Sequence, residues 1–391
     1  MIFTSAASAS KDVDEAVEEL ASRIHGDLGL AGVDLAVVFY SPHFAPAAGI
    51  LGRSLKAALR PGVLLGCMGE GVIGGGHEIE RRPAITVTAG RLPGVAMKPI
   101  EFSAGGWSSL LGDMEAFHEA VGASDETRLF ILLADPFSTP MEPLLDAFNT
   151  AYPGIPMIGG MASGAPRPRT ESLLMGDRAL AGGAVAVALE GRIQADVIVS
   201  QGCRPIGRAF TVTSADENVI FSLEGDPPLH RIQEIINDLD EADRTVLENG
   251  LFVGRAMAPR DEHLGRGSFL IRGVMGVDRE SGAVAVGDQI REGETVQFHL
   301  RDANTAREDL ELMLTPQTIL EKPRGGLLFS CNGRGIRLFD HPDGDVGTVL
   351  NLLGKLQIGG FFCAGEIGPV GGRNFLHGHT ACLALFRPSA P

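Results

Sequence analysis

Apolar residues recur along the chain in three similar blocks, at residues 34–71, 128–164 and 326–368. In each block an apolar run ends in small polar residues, an amphipathic helical stretch follows, and a second apolar run breaks into glycines. Each block is about thirty or more residues long, which is the length of a βαβ unit with a right-handed crossover. The pattern therefore predicts a fold repeated along one chain.

The apolar runs lack polar alternation, which is typical of strands covered on both faces. We expect an α/β (mixed α+β) protein of two similar layered domains, each with mixed sheets flanked by helices. An amphipathic helix lies within residues 1–30, with Ser10 as its predicted N-cap and Gly26 just past its end. The pattern changes near residues 216–226, so we predict an N-terminal domain at 31–222 and a C-terminal domain at 223–388.

Charge and cysteine content exclude several classes of function. The 391 residues carry 33 Lys and Arg against 49 Asp and Glu, a formal charge of −16. Such a chain repels nucleic acid and anionic lipid. Neither a membrane span nor a signal peptide is recognisable. Five widely spaced cysteines without a CxxC motif predict reduced thiols, no structural zinc and a cytoplasmic location.

Residues 69–74 match the dinucleotide-binding pattern GxGxxG after a predicted strand. That site needs the glycines to open a helix that receives the pyrophosphate. Here more glycines and then another strand follow, and the acidic residue expected about 20 positions later is absent. We interpret the segment as a glycine-rich strand and turn.

The third block has the most chemistry. Its two strands end in Cys331, Asn332 and Arg334 and in Cys363 and Glu366; a following segment supplies Arg373, Asn374 and His377. Parallel neighbours bring their carboxyl ends together, where ligands usually lie. The sequence therefore predicts that these residues bind or line a small polar ligand in a glycine-lined crevice. Taken singly, each of them is more often a turn, a core or an ion-pair residue. The cluster as a whole favours a ligand, because so many polar side chains are costly to bury without a partner.

Two other chemistries stay open. Cys363 and His377 have the residue types of a nucleophile and its base, so a cysteine-dependent enzyme is an alternative. Haem held by a lone His or Cys is another. His377 and His379 would point to opposite faces of a strand, which is poor geometry for one metal ion. We expect no metal, and binding rather than turnover.

The motifs resemble the FIST family, with its N-terminal and C-terminal halves in order. The resemblance is carried by GCMGEGVIG (66–74) and PMIGGMASG (156–164) in the first half. In the second half it is carried by VIFSLEGDPPLHRIQEI (219–235), FLIRGVMGVD (269–278), GLLFSCNGRG (326–335) and GGFFCAGEIGPVGGRNFLHGHTACLALF (359–386).

This resemblance implies a signal-transduction sensory domain that binds amino acids or related metabolites. It also implies a partner such as a histidine kinase or chemoreceptor, since the sequence shows no kinase or chemoreceptor segment of its own. One branch of the family is similar to haem proteins that sense nitric oxide, which keeps haem as the alternative cofactor. Cys67, Glu70 and Ser163 form the matching turns of the first half, a candidate second or shared site. A homodimer is also considered.

Overall fold

The first repeat of the computed structural model alternates strands and helices and ends in a hairpin and a closing strand. The structure describes residues 1–29, 32–248, 250–257 and 268–389. The elements of this repeat are β1 (Ile2–Ser8), α1 (Val13–Leu28), β2 (Leu35–Tyr40), a 3-10 turn (Pro42–Ala47), α2 (Ala48–Leu59), β3 (Val63–Met68), β4 (Gly71–Gly74), β5 (His77–Glu80) and β6 (Ile85–Arg91).

Helix α1 begins and ends two residues or so from the predicted limits. Asp12, not Ser10, is the N-cap, because its carboxylate accepts from the backbone N–H groups of Asp14 and Glu15. The helix continues through Gly26 and is capped at Gly29, since Leu28 is still buried against the core.

The second repeat has the same order of elements. It comprises β7 (Val95–Phe102), α3 (Trp107–Leu111), α4 (Met114–Val121), β8 (Thr127–Ala134), α5 (Met141–Ala151), β9 (Met157–Met161), β10 (Leu173–Met175), β11 (Arg178–Leu180) and β12 (Ala184–Gly191).

The third repeat begins with β13 (Ile193–Ser200) and is then interrupted by a closed six-stranded barrel. The interruption comprises β14 (Cys203–Asp216), β15 (Val219–Leu223), α6 (Pro228–Asp238), α7 (Glu241–Leu247), β16 (Phe252–Ala256), β17 (Phe269–Val277), β18 (Val284–Val286) and β19 (Thr295–Arg301). A hairpin turn at 278–282 joins the paired strands β17 and β18, and Asp278 N donates to Ala283 O across it.

The third repeat then resumes with the helix and the two parallel strands of its block. Its remaining elements are α8 (Ala303–Leu314), a 3-10 turn (Thr315–Ile319), β20 (Gly325–Cys331), α9 (Ile336–Phe339), α10 (Gly344–Leu353), β21 (Ile358–Cys363), β22 (Glu366–Val370), β23 (Arg373–His377) and β24 (Ala381–Pro388).

Each repeat builds one six-stranded mixed sheet and lends its hairpin to another repeat. The orders are β1-β6-β2-β3-β10-β11 (sheet 1), β7-β12-β8-β9-β22-β23 (sheet 2) and β13-β24-β20-β21-β4-β5 (sheet 3). Two parallel strands occupy the centre of every sheet, as the block pattern predicts. The hairpin of repeat 1 joins sheet 3, that of repeat 2 joins sheet 1, and that of repeat 3 joins sheet 2. The exchange is therefore cyclic.

The same glycine contact recurs in all three sheets. One glycine on the second parallel strand lies so close to the first that a Cβ would stand 2.2, 1.8 and 1.7 Å from a backbone carbonyl oxygen. The pairs are Gly66 with Val38, Gly159 with Leu132 and Gly360 with Leu328. Only glycine allows this approach of two strands. The contact identifies the three repeats as equivalent structures.

The inner faces of the three sheets share one hydrophobic core, while helices cover the outer faces of sheets 1 and 2. Phe39 of sheet 1 contacts Phe329 and Phe361 of sheet 3, with ring centroids 6.0 and 5.0 Å apart. Apolar side chains on both faces explain the lack of alternation in these strands.

Two compact units result. The first comprises Met1–Val199, Glu311–Leu376 and Thr380–Pro391, and the second comprises Ser200–Leu310 and His377–His379. The mixed α+β class with mixed sheets and helices is confirmed. The predicted boundary at 222/223 along the chain stays a prediction; by contacts, repeats 1 and 2 and most of repeat 3 belong to the first unit, and the barrel with most of α8 belongs to the second.

Candidate functional site

The carboxyl ends of β20 and β21 meet, as the sequence predicts. The strands are parallel, with Cys331 opposite Cys363, and Asn332 N donates to Cys363 O at 2.9 Å. The third block therefore places its polar residues at one edge of sheet 3.

The turn that follows β9 is joined by hydrogen bonds to the turns that follow β3 and β21. Ser163 N donates to Met68 O at 3.1 Å, and Ala364 N donates to Met161 O at 3.0 Å. The hydroxyl of Ser163 contacts both neighbours: Glu70 N donates to Ser163 Oγ at 2.8 Å, and this hydroxyl donates to the carbonyl of Phe362. Glu70 and Ser163 thus lie beside the carboxyl end of β21.

An ion pair between repeats 1 and 3 lies at this location. The guanidinium of Arg337 binds both carboxylate oxygens of Glu70, one of them at 3.2 Å. Arg337 Nη1 also donates to Asn332 O at 2.8 Å, and Asn332 Nδ2 approaches Glu70 Oε2 at 3.5 Å. Both charged side chains are partly exposed, 38% for Glu70 and 46% for Arg337. The pair is accessible to solvent, so a charged ligand can reach both side chains.

A small cavity lies beside this ion pair. We call it the polar niche; its lining residues are Glu70, Gly71, Glu80, Arg81, Asn332, Arg337 and Phe362. Its volume is about 20 Å³, close to the space that one water molecule needs. The niche holds two carboxylates, two guanidinium groups and an amide around that space.

The hairpin β4–β5 supplies the other wall of the niche. Glu80 Oε1 accepts from Ile336 N at 3.0 Å, at the start of the four-residue helix α9 that carries Arg337. Burial raises the pKa of Glu80. Arg81 follows with φ +56°, a left-handed conformation that costs a non-glycine residue energy and is often found at functional sites.

Arg334 does not line the niche. Its guanidinium is completely buried and binds Asp345 through Nε at 2.8 Å and Nη2 at 2.6 Å. Ser330 Oγ donates to the same carboxylate at 2.7 Å. A buried charge pair of this geometry fixes the loop before α10, which favours a structural role for Arg334. The ligand-binding role expected for it stays a prediction without support from this contact.

Three further predicted ligand residues contact other parts of the protein. Glu366 is fully buried, and its Oε2 accepts from Thr380 N and Oγ1 at 3.1 and 2.8 Å. Asn374 joins β23 to β9 by accepting from Met157 N at 2.8 Å. Arg373 is exposed and pairs with Asp146 at 3.2 Å. None of the three lines the niche.

The predicted cysteines belong to the core. Cys67 and Cys363 are fully buried and Cys331 nearly so. Burial raises the pKa of the Cys67 and Cys363 thiols well above the usual value, so both stay protonated at neutral pH. A buried, protonated thiol is a poor nucleophile, which removes the support for Cys363 as a catalytic residue. Its proposed base, His377, is buried and is assigned to the second compact unit.

The sequence did not identify three residues of the niche: Arg337, Glu80 and Arg81. Arg337 lies two residues beyond the glycine-rich motif, and nothing in its local sequence separates it from a surface arginine. Glu80 and Arg81 reach the site because Val72 of β4 pairs with Phe361 of β21, almost 290 positions away. Residues 69–74 form a strand and turn, as interpreted. The hairpin that they begin is the feature of the sequence that could have pointed to Glu80 and Arg81.

A metal ion needs grouped ligand side chains, and haem needs a cavity with an axial ligand. Among them no three His, Cys, Asp or Glu side chains are grouped to hold a metal ion. A second, open groove of about 700 Å³ is large enough for haem, but its lining contains no His, Cys, Met or Tyr to serve as axial ligand. The niche is too small. These cavities do not fit haem.

The fold and the niche define the class: a mixed α+β protein with a three-repeat unit and a barrel, and with a charged pocket where the repeats meet. The chain belongs to the FIST family, since the FIST N domain matches residues 34–226 and the FIST C domain matches residues 228–369. FIST domains are sensory domains of signal transduction. No helix of the described residues is long and apolar enough to cross a bilayer.

Relatives cover nearly the whole chain. The uncharacterized protein MT0656 of Mycobacterium tuberculosis (strain CDC 1551 / Oshkosh) is 40% identical over 97% of this chain and 98% of its own. The uncharacterized protein Mb0898c of Mycobacterium bovis (strain ATCC BAA-935 / AF2122/97) is 37% identical over 96% of each. Among solved structures, cyanuric acid hydrolase from A. caulinodans is 10% identical, with a TM-score of 0.37 over 100% of this chain and 99% of that one. That likeness carries no conclusion about activity.

Proposed function

We propose that the protein is a cytoplasmic sensor that binds a small polar, amino-acid-like ligand in the polar niche and signals through a partner protein. The observation that carries the proposal is the Glu70–Arg337 ion pair, which joins two repeats beside a cavity and remains partly exposed. The FIST domains support the sensory role.

The charges of the niche suit a zwitterion. A carboxylate can take both donors of Arg337, because the guanidinium fork matches its two oxygens. An ammonium group can bind the carboxylate of Glu70 or of Glu80. The amide of Asn332 adds a donor and an acceptor. A ligand with both charges would replace the contacts that the ion pair now makes within the protein.

The exchange is energetically accessible. Exposed ion pairs contribute roughly 0–1 kcal/mol to stability, so opening the Glu70–Arg337 pair costs little. The present space of about 20 Å³ must widen to admit an amino acid. We infer that α9 moves, since it has four residues and its first N–H is held by Glu80.

Movement of α9 supplies a signal that a partner can detect. The ligand shifts the population towards the open arrangement only by as much as it prefers that arrangement. The partner we propose is a histidine kinase or a chemoreceptor in another chain.

Thermal unfolding in the presence of single amino acids and small zwitterions tests the proposal. One of them should stabilise the wild-type protein, by about 2.7 kcal/mol at a hundredfold excess over Kd. Arg337→Ala should lose this response, and Glu70→Gln should weaken it. Arg373→Ala is the matched control, since Arg373 is also an exposed, ion-paired arginine but lies outside the niche.

Two results would overturn the proposal. One is an equal response of wild type and Arg337→Ala to the stabilising compound. The other is the absence of any response across the panel while the protein remains folded.

A further inference from the structure

A group of large apolar side chains is exposed where α8 ends. Leu312 is 59% exposed and Ile319 is 86% exposed, and Met313 and Leu320 between and beside them are also exposed. The 3-10 turn Thr315–Ile319 buries none of its residues. We call the surface of residues 312–320 the α8 face.

The α8 face is an unusual feature for a surface this polar. Single exposed apolar residues need no explanation, but contiguous patches of roughly 300–600 Å² often mark interaction sites. Four of the eleven large hydrophobic residues that are exposed in the described chain fall within these nine positions. The face therefore has the composition of an interface core.

The charges around the face are balanced, unlike those of the whole chain. Residues 311–324 contain two acids, Glu311 and Glu321, and two bases, Lys322 and Arg324. The chain as a whole carries −16, so most surfaces of two copies repel each other. This segment is neutral and lets two copies approach.

The order of these charges is self-complementary. Arg324 already pairs with Glu321 at 2.8 Å. Glu311 lies before the apolar residues and Lys322 after them, and neither forms an ion pair with another described residue. A two-fold axis through the middle of the face would place Glu311 of each copy against Lys322 of the other.

We propose that the α8 face is where a second copy of this chain docks, forming a two-fold symmetric dimer. The apolar residues form the centre of the interface, and the Glu311 and Lys322 pairs form its rim.

Sedimentation equilibrium of the full chain tests the dimer. At micromolar concentration the wild type should have twice the 41.1 kDa of one chain. Ile319→Asp should raise the dimer Kd at least about tenfold, because it places a charge at the interface centre. Met275→Asp is the matched control: Met275 is 72% exposed on barrel strand β17, outside the face, and its replacement should leave the mass unchanged.

Exchanging the two rim charges distinguishes docking of a second copy from docking of any other partner. Lys322→Glu alone should weaken the dimer, and the double variant Glu311→Lys with Lys322→Glu should restore it, since both rim charges come from the same sequence. A wild type that stays monomeric throughout the micromolar range overturns the proposal, as does a dimer insensitive to Ile319→Asp. Circular dichroism of each variant checks that the fold is kept.

Discussion

At the scale of single residues, Glu78 is the clearest titratable group outside the niche. Its carboxyl caps α10 by accepting from Gly344 N at 3.1 Å, Asp345 N at 2.9 Å and Val346 N at 2.8 Å. Burial, with the nearby charge of Asp345, raises the pKa of Glu78 to about 8. The unfolded chain releases this proton near the ordinary value of 4.5, so between the two values the folded state holds the extra proton.

Stability supplied by protonated Glu78 is therefore complete below about pH 4.5 and is lost as pH rises through 8. We predict that the free energy of unfolding of the wild type falls between pH 6 and 9, and that Glu78→Gln, which keeps an acceptor without the charge, flattens this fall. Chemical denaturation at a series of pH values measures it. Glu119→Gln, an exposed carboxylate on α4, is the control; parallel slopes for wild type and Glu78→Gln would contradict the assignment.

His299, in the barrel unit, makes stability depend on pH in the opposite direction. Its ring is buried against Phe269 and Nδ1 donates to Gln297 O at 3.0 Å; burial lowers its pKa to about 4. The unfolded chain binds a proton near 6.5 where the folded barrel does not, so stability is lost as pH falls from 6.5 towards 4. We predict that His299→Gln removes part of this acid slope, as followed by denaturation; exposed His341→Gln should not.

Residue chemistry was only partly predictable from sequence. The types and strand-end positions of Asn332 and Glu70 were sufficient to predict a polar site. Burial decided the rest: Arg334 and Glu366 have the same types as ligand-binding residues, yet Arg334 pairs with Asp345 and one carboxylate oxygen of Glu366 accepts from Thr380 inside the protein. Sequence alone does not reveal which buried charge has found a partner.

At the scale of elements, the glycines on the inner parallel strands set the spacing of each sheet. A Cβ at Gly360 would stand 1.7 Å from the carbonyl oxygen of Leu328, which belongs to the backbone and cannot rotate away. We predict that Gly360→Ala destabilises the protein by about 3 kcal/mol or more, as measured by denaturant unfolding.

Gly26→Ala is the matched control for this effect. Gly26 lies inside helix α1, and a Cβ there would meet nothing within 4 Å. Alanine should stabilise this helix by roughly 0.5–1 kcal/mol. If both alanines had the same effect on unfolding, the close contact between β20 and β21 would not explain the glycine.

Element types followed well from the apolar pattern because helical and extended periodicities differ. The paired strands of all three blocks and helix α1 agree with it. The cyclic exchange of hairpins did not follow, since the partner of β4 lies in another repeat. Short-range periodicity carries no information about such distant pairing.

At the scale of the whole molecule, three repeats within one chain explain why the functional residues are scattered. Glu70 and Ser163 follow the equivalent strands β3 and β9, and Arg337 follows β20 of the third repeat. The three residues come from three different repeats and are brought together by contacts between the repeats. The repeat pattern predicted equivalent turns, and the structure shows that equivalent turns converge. The barrel interrupts the third repeat, which no local feature of the sequence required.

Native mass spectrometry of the freshly purified protein shows whether the polar niche holds a ligand. We expect a bound small molecule in the wild type and in Arg373→Ala, and its loss from Arg337→Ala, because Arg337 contributes a guanidinium group to the niche. Equal retention by Arg337→Ala, or a bare polypeptide mass for all three proteins, would contradict this expectation.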